Sequence, residues 1–170
     1  MNLNKNLVFL GMMGSGKSSI GNLLSTKLDL PFFDIDNLIT ENIGMSISEI
    51  FMKKGEDYFR VLEEKITLKC LKKTKSVISL GGGGFINYKV RREILTNHFS
   101  FWLNWEDSIL IKRIRNNQKR PIAVKSTDQE LRAMIKDRSK IYSNAQFKIN
   151  CSKLTKNEIL KKIIKIYELN

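Results

Sequence analysis

The chain has 170 residues, enough for one domain with a buried core, and its 30 basic against 17 acidic residues leave a formal charge of +13. His98 is the only histidine, and the two cysteines, Cys70 and Cys151, form no C-x-x-C pair, so the sequence hardly supplies the residues of a histidine-based catalytic triad or a zinc cluster. We expect both cysteines to be reduced and packed in the core. No apolar run approaches the roughly 20 residues that cross a bilayer, and the first residues lack the apolar stretch of a secretion signal, so we expect a cytoplasmic protein.

The first predicted strand, Asn6–Leu10, leads into a glycine-rich loop. The loop reads Gly11-Met12-Met13-Gly14-Ser15-Gly16-Lys17-Ser18, which fits the phosphate-binding pattern G-x-x-x-x-G-K-[ST]. Its glycines allow successive N–H groups to surround a phosphate, and the helix that begins at Ser18 favours an anion at its N-terminus. Lys17 adds charge for the β- and γ-phosphates, and the Ser18 hydroxyl is a ligand for Mg²⁺. The loop predicts binding of ATP or GTP.

The second predicted strand, Pro31–Asp34, ends beside two carboxylates, Asp34 and Asp36. Ligands of open α/β sheets gather beyond the carboxyl ends of the strands. One carboxylate can therefore serve the shell of Mg²⁺ while the other meets a substrate hydroxyl. Asp36 could instead cap a helix that begins at Asn37, a common role for aspartate that is compatible with the first.

The third predicted strand, Ser76–Leu80, runs into four glycines, Gly81–Gly84. Such a run costs conformational entropy on folding, which makes sense where the backbone must touch a ligand. Elsewhere the run would be a flexible turn. After a second buried strand in a protein with a phosphate-binding loop, it indicates a ligand contact.

The rest of the chain continues the alternation of strands and helices. Two more strands are predicted at Ser100–Leu103 and Phe147–Asn150, and helical repeats lie at 46–51, 59–70, 109–114, 131–141 and 159–167. The last helix is rich in lysine and either lies on a membrane surface or, as we expect, covers one face of the sheet. The polar and basic segment at 116–128 is either an inert loop or a lid that brings Arg120 onto a nucleotide.

This alternation predicts the fold class. Short apolar strands between amphipathic helices are typical of an α/β protein whose parallel sheet is covered on both faces. We expect a single domain, residues 1–170, with three layers and a five-stranded parallel sheet of the phosphate-binding-loop NTPase type.

Taken together, these motifs resemble the shikimate kinase family, which belongs to the nucleoside-monophosphate-kinase-like branch of phosphate-loop kinases. The resemblance runs from Leu7 to about Tyr167 and rests on Gly11–Ser18, Asp34-Ile35-Asp36, Gly55–Arg60 with Glu63-Glu64, Leu80–Gly83, Arg120-Pro121 and Arg138 with Tyr142. It implies transfer of the γ-phosphoryl group of ATP to the 3-hydroxyl of shikimate, on the pathway to chorismate and the aromatic amino acids. It also implies substrate-binding helices at about 34–64 and a mobile lid at about 116–127.

The same resemblance implies roles for individual residues. The implied ATP contacts are Gly14, Ser15, Gly16, Lys17, Ser18, Ser19, Arg113 and Arg120, and the implied shikimate contacts are Asp36, Arg60, Gly81, Gly82, Gly83 and Arg138. The catalytic residues would be Lys17, Asp36 and Arg120, with Mg²⁺ at Ser18 and Asp34. Glu63 would hold Arg60 in place, and Gly84 makes the glycine run longer than the three glycines that the family pattern leads us to expect.

Two other functions would share some of these features. Another small-molecule kinase, acting on gluconate or a nucleoside monophosphate, would share Lys17, Ser18 and Arg120. Arg60 and Arg138 favour a small hydroxylated carboxylic acid, because two guanidinium forks recognise a planar carboxylate better than lysines do.

A basic nucleic-acid-binding module is the second rival, since it would use the +13 charge for phosphate contacts. Such a module interleaves aromatic with basic residues for base stacking, and Phe101, Trp102 and Trp105 lie in no basic run. We therefore expect shikimate and ATP as partners, no nucleic acid or membrane, and a monomer.

Overall fold

A computed structural model describes residues 4–116 and 126–169 of the chain. Its five parallel strands are β1 (Leu7–Leu10), β2 (Phe32–Asp34), β3 (Val77–Ser79), β4 (Phe99–Asn104) and β5 (Phe147–Asn150), side by side in the order β2-β3-β1-β4-β5. The central strands β1, β3 and β4 are almost wholly buried, which explains their continuous apolar sequence. The five predicted strands are confirmed, with ends that move by at most one residue.

Seven α-helices are found in the described ranges. They are α1 (Lys17–Leu28), α2 (Ile35–Ile43), α3 (Ile47–Leu71), α4 (Tyr88–Asn97), α5 (Asp107–Arg115), α6 (Asp128–Tyr142) and α7 (Lys156–Glu168), with a short 3₁₀ helix at Gly84–Ile86. α1 packs against α7 and against β2 and β3, and α3 packs against α2 and α4. The predicted three-layer α/β fold is confirmed.

Helix α3 has two parts joined at a glycine. Its start is set by a capping box, in which the Ser46 hydroxyl accepts from the Glu49 N–H and the Glu49 carboxylate accepts from the Ser46 N–H. Gly55 then has φ 83° and ψ 171°, which lie outside the helical region. Glycine adopts these values without steric cost because it has no Cβ. The part after this kink carries Arg60 and Glu63, both of which were singled out from the sequence.

Helix α4 was not foreseen from the sequence. The Asn87 side chain accepts a hydrogen bond of 3.1 Å from the Val90 N–H and so caps the helix, whose buried residues are Val90 and Ile94. A capping asparagine followed by two apolar residues four apart is the signal that could have found it. α4 packs on α3 and on strand β4 of the sheet.

Helix α7 packs on the protein as expected. It buries Ile159, Leu160 and Ile163 and contacts α1 and β5, while its lysines are exposed. Among the described residues, no helix combines the length and apolar character that a membrane span requires. Cys70 and Cys151 are buried and unbridged, as predicted.

The single histidine belongs to a buried network where β1, β3 and β4 begin. The Asn6 side chain donates to the carbonyls of Leu71 (3.1 Å) and Lys73 (2.6 Å) and accepts from the N–H and hydroxyl of Ser76 (3.1 and 2.8 Å). The Asn6 N–H lies 3.4 Å from the Nδ1 of His98, and burial lowers the pKa of that imidazole. His98 therefore has a structural role at the edge opposite the carboxyl ends of the strands.

Candidate active site

The loop between β1 and α1 has the backbone that phosphate binding requires. Gly11, Gly14 and Gly16 have φ of 137°, 77° and 89°, and Gly16 is the N-cap of α1. The buried Lys17 reaches back over the loop, with its Nζ 3.0 Å from the Gly11 carbonyl and 3.1 Å from that of Met12. The Ser15 hydroxyl is buried and finds no hydrogen-bond partner in the described ranges. The loop is a cradle of polar groups at a helix N-terminus, suited to an anion.

A tryptophan supports this loop from the side, and the sequence had not indicated it as a site residue. Trp105, directly after β4, donates from its indole Nε1 to the Ser15 carbonyl at 2.9 Å. The guanidinium carbon of Arg113 lies 3.6 Å from the centroid of the Trp105 ring, within the range of a cation–π contact. Gly14 faces α5, where an added methyl would lie 3.5 Å from the Arg113 Cβ. Arg113 is thus beside the loop, where the nucleotide was expected.

Asp34 and Asp36 take different positions at the end of β2. The Asp34 carboxylate accepts a hydrogen bond of 3.2 Å from the Asn37 N–H and is the N-cap of α2, while Asp36 lies in the first turn of that helix. The alternative that Asp36 caps a helix starting at Asn37 is therefore wrong. β2 turns into α2 without a loop, so the last residue of the strand takes the cap.

The glycine run after β3 packs against charged side chains. A methyl group on Gly81 would overlap the Oε1 of Glu63 and lie 2.8 Å from the Oδ1 of Asp36, and one on Gly83 would overlap the guanidinium of Arg60. Gly84 is different, since its nearest neighbour would be 3.6 Å away in ordinary contact, and it begins the 3₁₀ helix. The first and third glycines of the run are needed for close approach, and the fourth has room for a methyl group.

The Gly82 carbonyl ties this run to α6. It accepts from the Tyr142 hydroxyl at 2.5 Å and from the Arg138 Nη1 at 3.3 Å. Burial raises the pKa of Tyr142 to about 12, so the phenol remains a donor at neutral pH. An added methyl on Gly82 would also lie 3.3 Å from the Met13 N–H, which brings the glycine run against the phosphate-binding loop.

Arg60 is held by two carboxylates on its own helix. Its Nη1 donates to the Glu63 Oε2 at 2.8 Å, and its Nε and Nη2 donate to the Glu56 Oε1 at 3.1 and 2.9 Å. Glu63 is only 3% exposed, and burial raises the pKa of its carboxyl, with Arg60 acting against this shift and the Asp36 charge adding to it. The second oxygen, Oε1, has no hydrogen-bond partner in the part of the chain that the structure describes.

Five of the six predicted substrate residues, all but Gly81, line two adjoining cavities. One, of about 40 Å³, is lined by Met13, Asp36, Ile47, Phe51, Phe59, Arg60, Glu63, Gly82, Gly83 and Arg138. The neighbouring one, of about 440 Å³, shares Arg60, Glu63, Gly83 and Arg138 with it. Ile47, Phe51 and Phe59 form an apolar wall, with the two phenylalanine rings 4.8 Å apart, that the sequence had indicated only as helix core.

The structure brings together the phosphate-binding loop, the glycine run, Asp36 and the arginines Arg60 and Arg138. Arg120 and residues 117–125 of the predicted lid lie outside the described residues. An anion cradle next to a small cavity with two guanidinium groups and a carboxylate fits transfer of a phosphoryl group to a hydroxylated acid. A metal ion would find oxygen donors in the exposed Ser18 hydroxyl and the buried Asp34 carboxylate, the ligand type that Mg²⁺ prefers.

Comparison with known proteins agrees with this geometry. A family model described as shikimate kinase matches residues 13–168. The chain is 37% identical over 160 residues to a shikimate kinase of Bartonella quintana, covering 94% of this chain and 76% of that protein, and 34% identical over 165 residues to one of Thermodesulfovibrio yellowstonii, covering 96% and 95%.

Two solved structures are similar over nearly the whole length. The shikimate kinase of Acinetobacter baumannii in complex with shikimate superposes with a TM-score of 0.91 at 25% identity, covering 98% of this chain and 94% of that one. The shikimate kinase of Aquifex aeolicus gives a TM-score of 0.85 at 32% identity, covering 96% of each chain. From this match of fold and sequence, the chain belongs to the shikimate kinase family.

Proposed function

We infer that the protein transfers the γ-phosphoryl group of ATP to the 3-hydroxyl of shikimate, giving shikimate 3-phosphate and ADP. The observation that carries this is the contact of the phosphate-binding loop with the glycine run at Met13 and Gly82, which joins a nucleotide site to the cavity of Asp36, Arg60 and Arg138. A bond forms between the substrate oxygen and the γ-phosphorus, the bond from that phosphorus to the β,γ-bridging oxygen breaks, and the hydroxyl releases a proton.

The nucleotide half of the site consists of the phosphate-binding loop and Arg113. Backbone N–H groups of Gly14, Ser15, Gly16 and the first turn of α1, through Ser19, surround the β-phosphate, and Lys17 neutralises charge on the β- and γ-phosphates. The Ser15 hydroxyl supports this role, because it is buried and has no hydrogen-bond partner among the described residues, which suits a ligand that accepts from it. Arg113 contacts the adenine.

The acceptor half holds shikimate at both of its polar ends. Arg60 and Arg138 bind the carboxylate, and the backbone of Gly81, Gly82 and Gly83 lies against the ring. Asp36 accepts from the ring hydroxyls and is placed to take the proton that the 3-hydroxyl releases. Glu63 holds Arg60 by the 2.8 Å hydrogen bond described above.

Mg²⁺, when bound, neutralises phosphate charge, and the Ser18 hydroxyl and the Asp34 carboxylate are the residues that would hold it. Asp34 already accepts the Asn37 N–H with one oxygen, so this residue would serve the metal and the start of α2 together. Positioning of the two substrates and charge stabilisation then account for most of the catalysis.

Other parts of the expectation stay predictions. Substrate-binding helices at 34–64 are consistent with the lining residues on α2 and α3. Arg120, in a lid at 116–127, is proposed to close on the γ-phosphate. The protein is further proposed to be a cytoplasmic monomer that binds no nucleic acid.

The test is MgATP-dependent release of ADP with shikimate as acceptor, run beside gluconate, AMP and no acceptor. We expect release that requires shikimate and yields its 3-phosphate. Release with gluconate or AMP alone would keep the roles of the loop and Lys17 and contradict those of Arg60 and Arg138. No release with any acceptor would contradict the kinase function.

A pair of glycine variants tests the close packing of the glycine run. Gly81→Ala places a methyl group against the carboxylates of Glu63 and Asp36. Displacing Asp36, or displacing Glu63 and with it Arg60, misaligns the acceptor, so we expect kcat/KM for shikimate to fall about tenfold or more. Gly84→Ala, whose methyl makes only ordinary contacts, is the matched control and should keep near-normal kinetics. Equal kinetic losses in the two variants would refute this interpretation of the run.

A further inference from the structure

We propose that Trp105 is a positioning residue for the nucleotide. Its indole N–H holds the phosphate-binding loop, and its ring holds Arg113 as a flat platform for the adenine base. The proposal rests on the proposed function in one respect only, that the nucleotide is ATP. Trp105 acts through two other groups and does not itself touch the reacting atoms.

The contact with the loop is direct and buried. The Trp105 Nε1 donates to the Ser15 carbonyl at 2.9 Å, and Trp105 is 9% exposed. Ser15 lies in the middle of the loop, so the plane of its peptide group sets the direction of the next N–H, that of Gly16. A hydrogen bond that fixes this peptide fixes donors that face the phosphates.

The contact with Arg113 leaves one face of the guanidinium available. The guanidinium carbon is 3.6 Å from the centroid of the indole ring, and Arg113 is exposed. A guanidinium group is planar and stacks on aromatic rings, so a group covered on one face by an indole can take a purine on the other. Without the indole ring, the long side chain of Arg113 would not be held in this orientation. Ordering it when the nucleotide binds would then cost more conformational entropy.

The residues on either side of Trp105, Asn104 and Glu106, are both hydrogen-bonded to the end of β5 and the turn that follows it. The Cys151 N–H donates to the Asn104 carbonyl at 2.8 Å, the Glu106 N–H donates to the Ser152 hydroxyl at 2.8 Å, and the side chains of Asn104 and Asn150 are joined at 3.0 Å. The backbone on both sides of Trp105 is therefore fixed to the turn after β5. Residues 151–155, which lie in that turn, are thereby kept close to the platform.

The two contacts can be separated by substitution. Trp105→Phe removes the N–H donor and keeps a ring under Arg113, whereas Trp105→Leu removes both. Inorganic tripolyphosphate serves as a probe without a base, so the ratio of its Kd to that of ATP reports on the platform alone. Binding is measured by calorimetry, which needs no phosphoryl transfer.

We expect Trp105→Phe to weaken ATP and tripolyphosphate alike, by about fivefold, the usual cost of one buried hydrogen bond. Trp105→Leu should weaken ATP by about a further fivefold, the loss of one stacking contact, without a further change for tripolyphosphate. Arg113→Lys keeps the charge and removes the planar group, so it should reproduce the loss that is specific to ATP and remains available if Trp105→Leu fails to fold.

Phe99→Leu is the matched control, because Phe99 is a buried aromatic residue at the opposite end of β4. It should lower the melting temperature and leave both dissociation constants unchanged. Unchanged binding in Trp105→Phe would overturn the role of the N–H, and equal losses of ATP and tripolyphosphate in Trp105→Leu and in Arg113→Lys would overturn the platform. A wild-type protein that binds ATP but does not phosphorylate shikimate would contradict the proposed function while leaving this inference intact.

Discussion

Replacing Lys17 with alanine is expected to lower kcat with ATP and shikimate about 10²–10³-fold, the usual cost of losing one preorganised group that stabilises transition-state charge. The Lys17 Nζ lies 3.0 and 3.1 Å from the carbonyls of Gly11 and Met12, so its charge is already held over the loop where we propose that the phosphates bind. The measurement is steady-state turnover together with thermal unfolding.

Lys27→Ala is the control for this variant, because Lys27 is an exposed lysine in the last turn of the same helix. It should leave turnover unchanged. A Lys17→Ala protein that melts like the wild type and still turns over at a near-normal rate would remove Lys17 from the catalytic residues.

Arg138→Lys is expected to reduce kcat/KM for shikimate about 10–100-fold with little change in the KM for ATP, because hydrogen bonds to charged groups are strong and one ammonium cannot reproduce a guanidinium fork. Arg138 also donates to the Gly82 carbonyl at 3.3 Å, so the substitution loosens the backbone that we propose lies against the same substrate. Both effects act on the acceptor half of the site.

Arg132→Lys offers the matched control, since Arg132 is an exposed arginine of the same helix, α6. It should behave as the wild type. An unchanged KM and kcat for shikimate in Arg138→Lys would show that the carboxylate is bound elsewhere, and a loss that falls mainly on ATP would place Arg138 in the nucleotide half.

The parts of the fold that were predictable from the sequence are those with local causes. The apolar strands and the glycine loop before α1 depend on a few consecutive residues, and α4 would have been found by similar local reasoning had Asn87 been taken as a cap. The position of Asp34 as the cap of α2 was missed because it depends on the absence of any loop between strand and helix.

The supporting contacts of the site were beyond local reasoning, because they join residues far apart in the chain. Trp105 meets Ser15, and Tyr142 meets Gly82, only after β4 and α6 have packed beside the loops at the carboxyl ends of β1 and β3. No periodicity or spacing in the sequence marks either aromatic residue as different from a core residue. The resemblance to a family predicts which residues touch the substrates, and the structure adds residues that contact these, such as Trp105 beside Ser15 and Tyr142 at Gly82.

The buried carboxyl of Glu63 has a consequence for how the protein can evolve. The Oε1 of Glu63 finds no hydrogen-bond partner within residues 4–116 and 126–169, and a buried oxygen left in this state costs about 1–3 kcal/mol. Selection for stability alone would replace Glu63 with a residue that leaves no buried oxygen without a partner. Such a replacement would also remove the hydrogen bond from Arg60 to Glu63, and this loss opposes it. In the acceptor half of the site, thermostability and catalysis therefore make opposite demands on the residue at position 63. Stabilising substitutions in this enzyme should be placed instead at the edge of the sheet where β1, β3 and β4 begin, opposite the carboxyl ends of the strands.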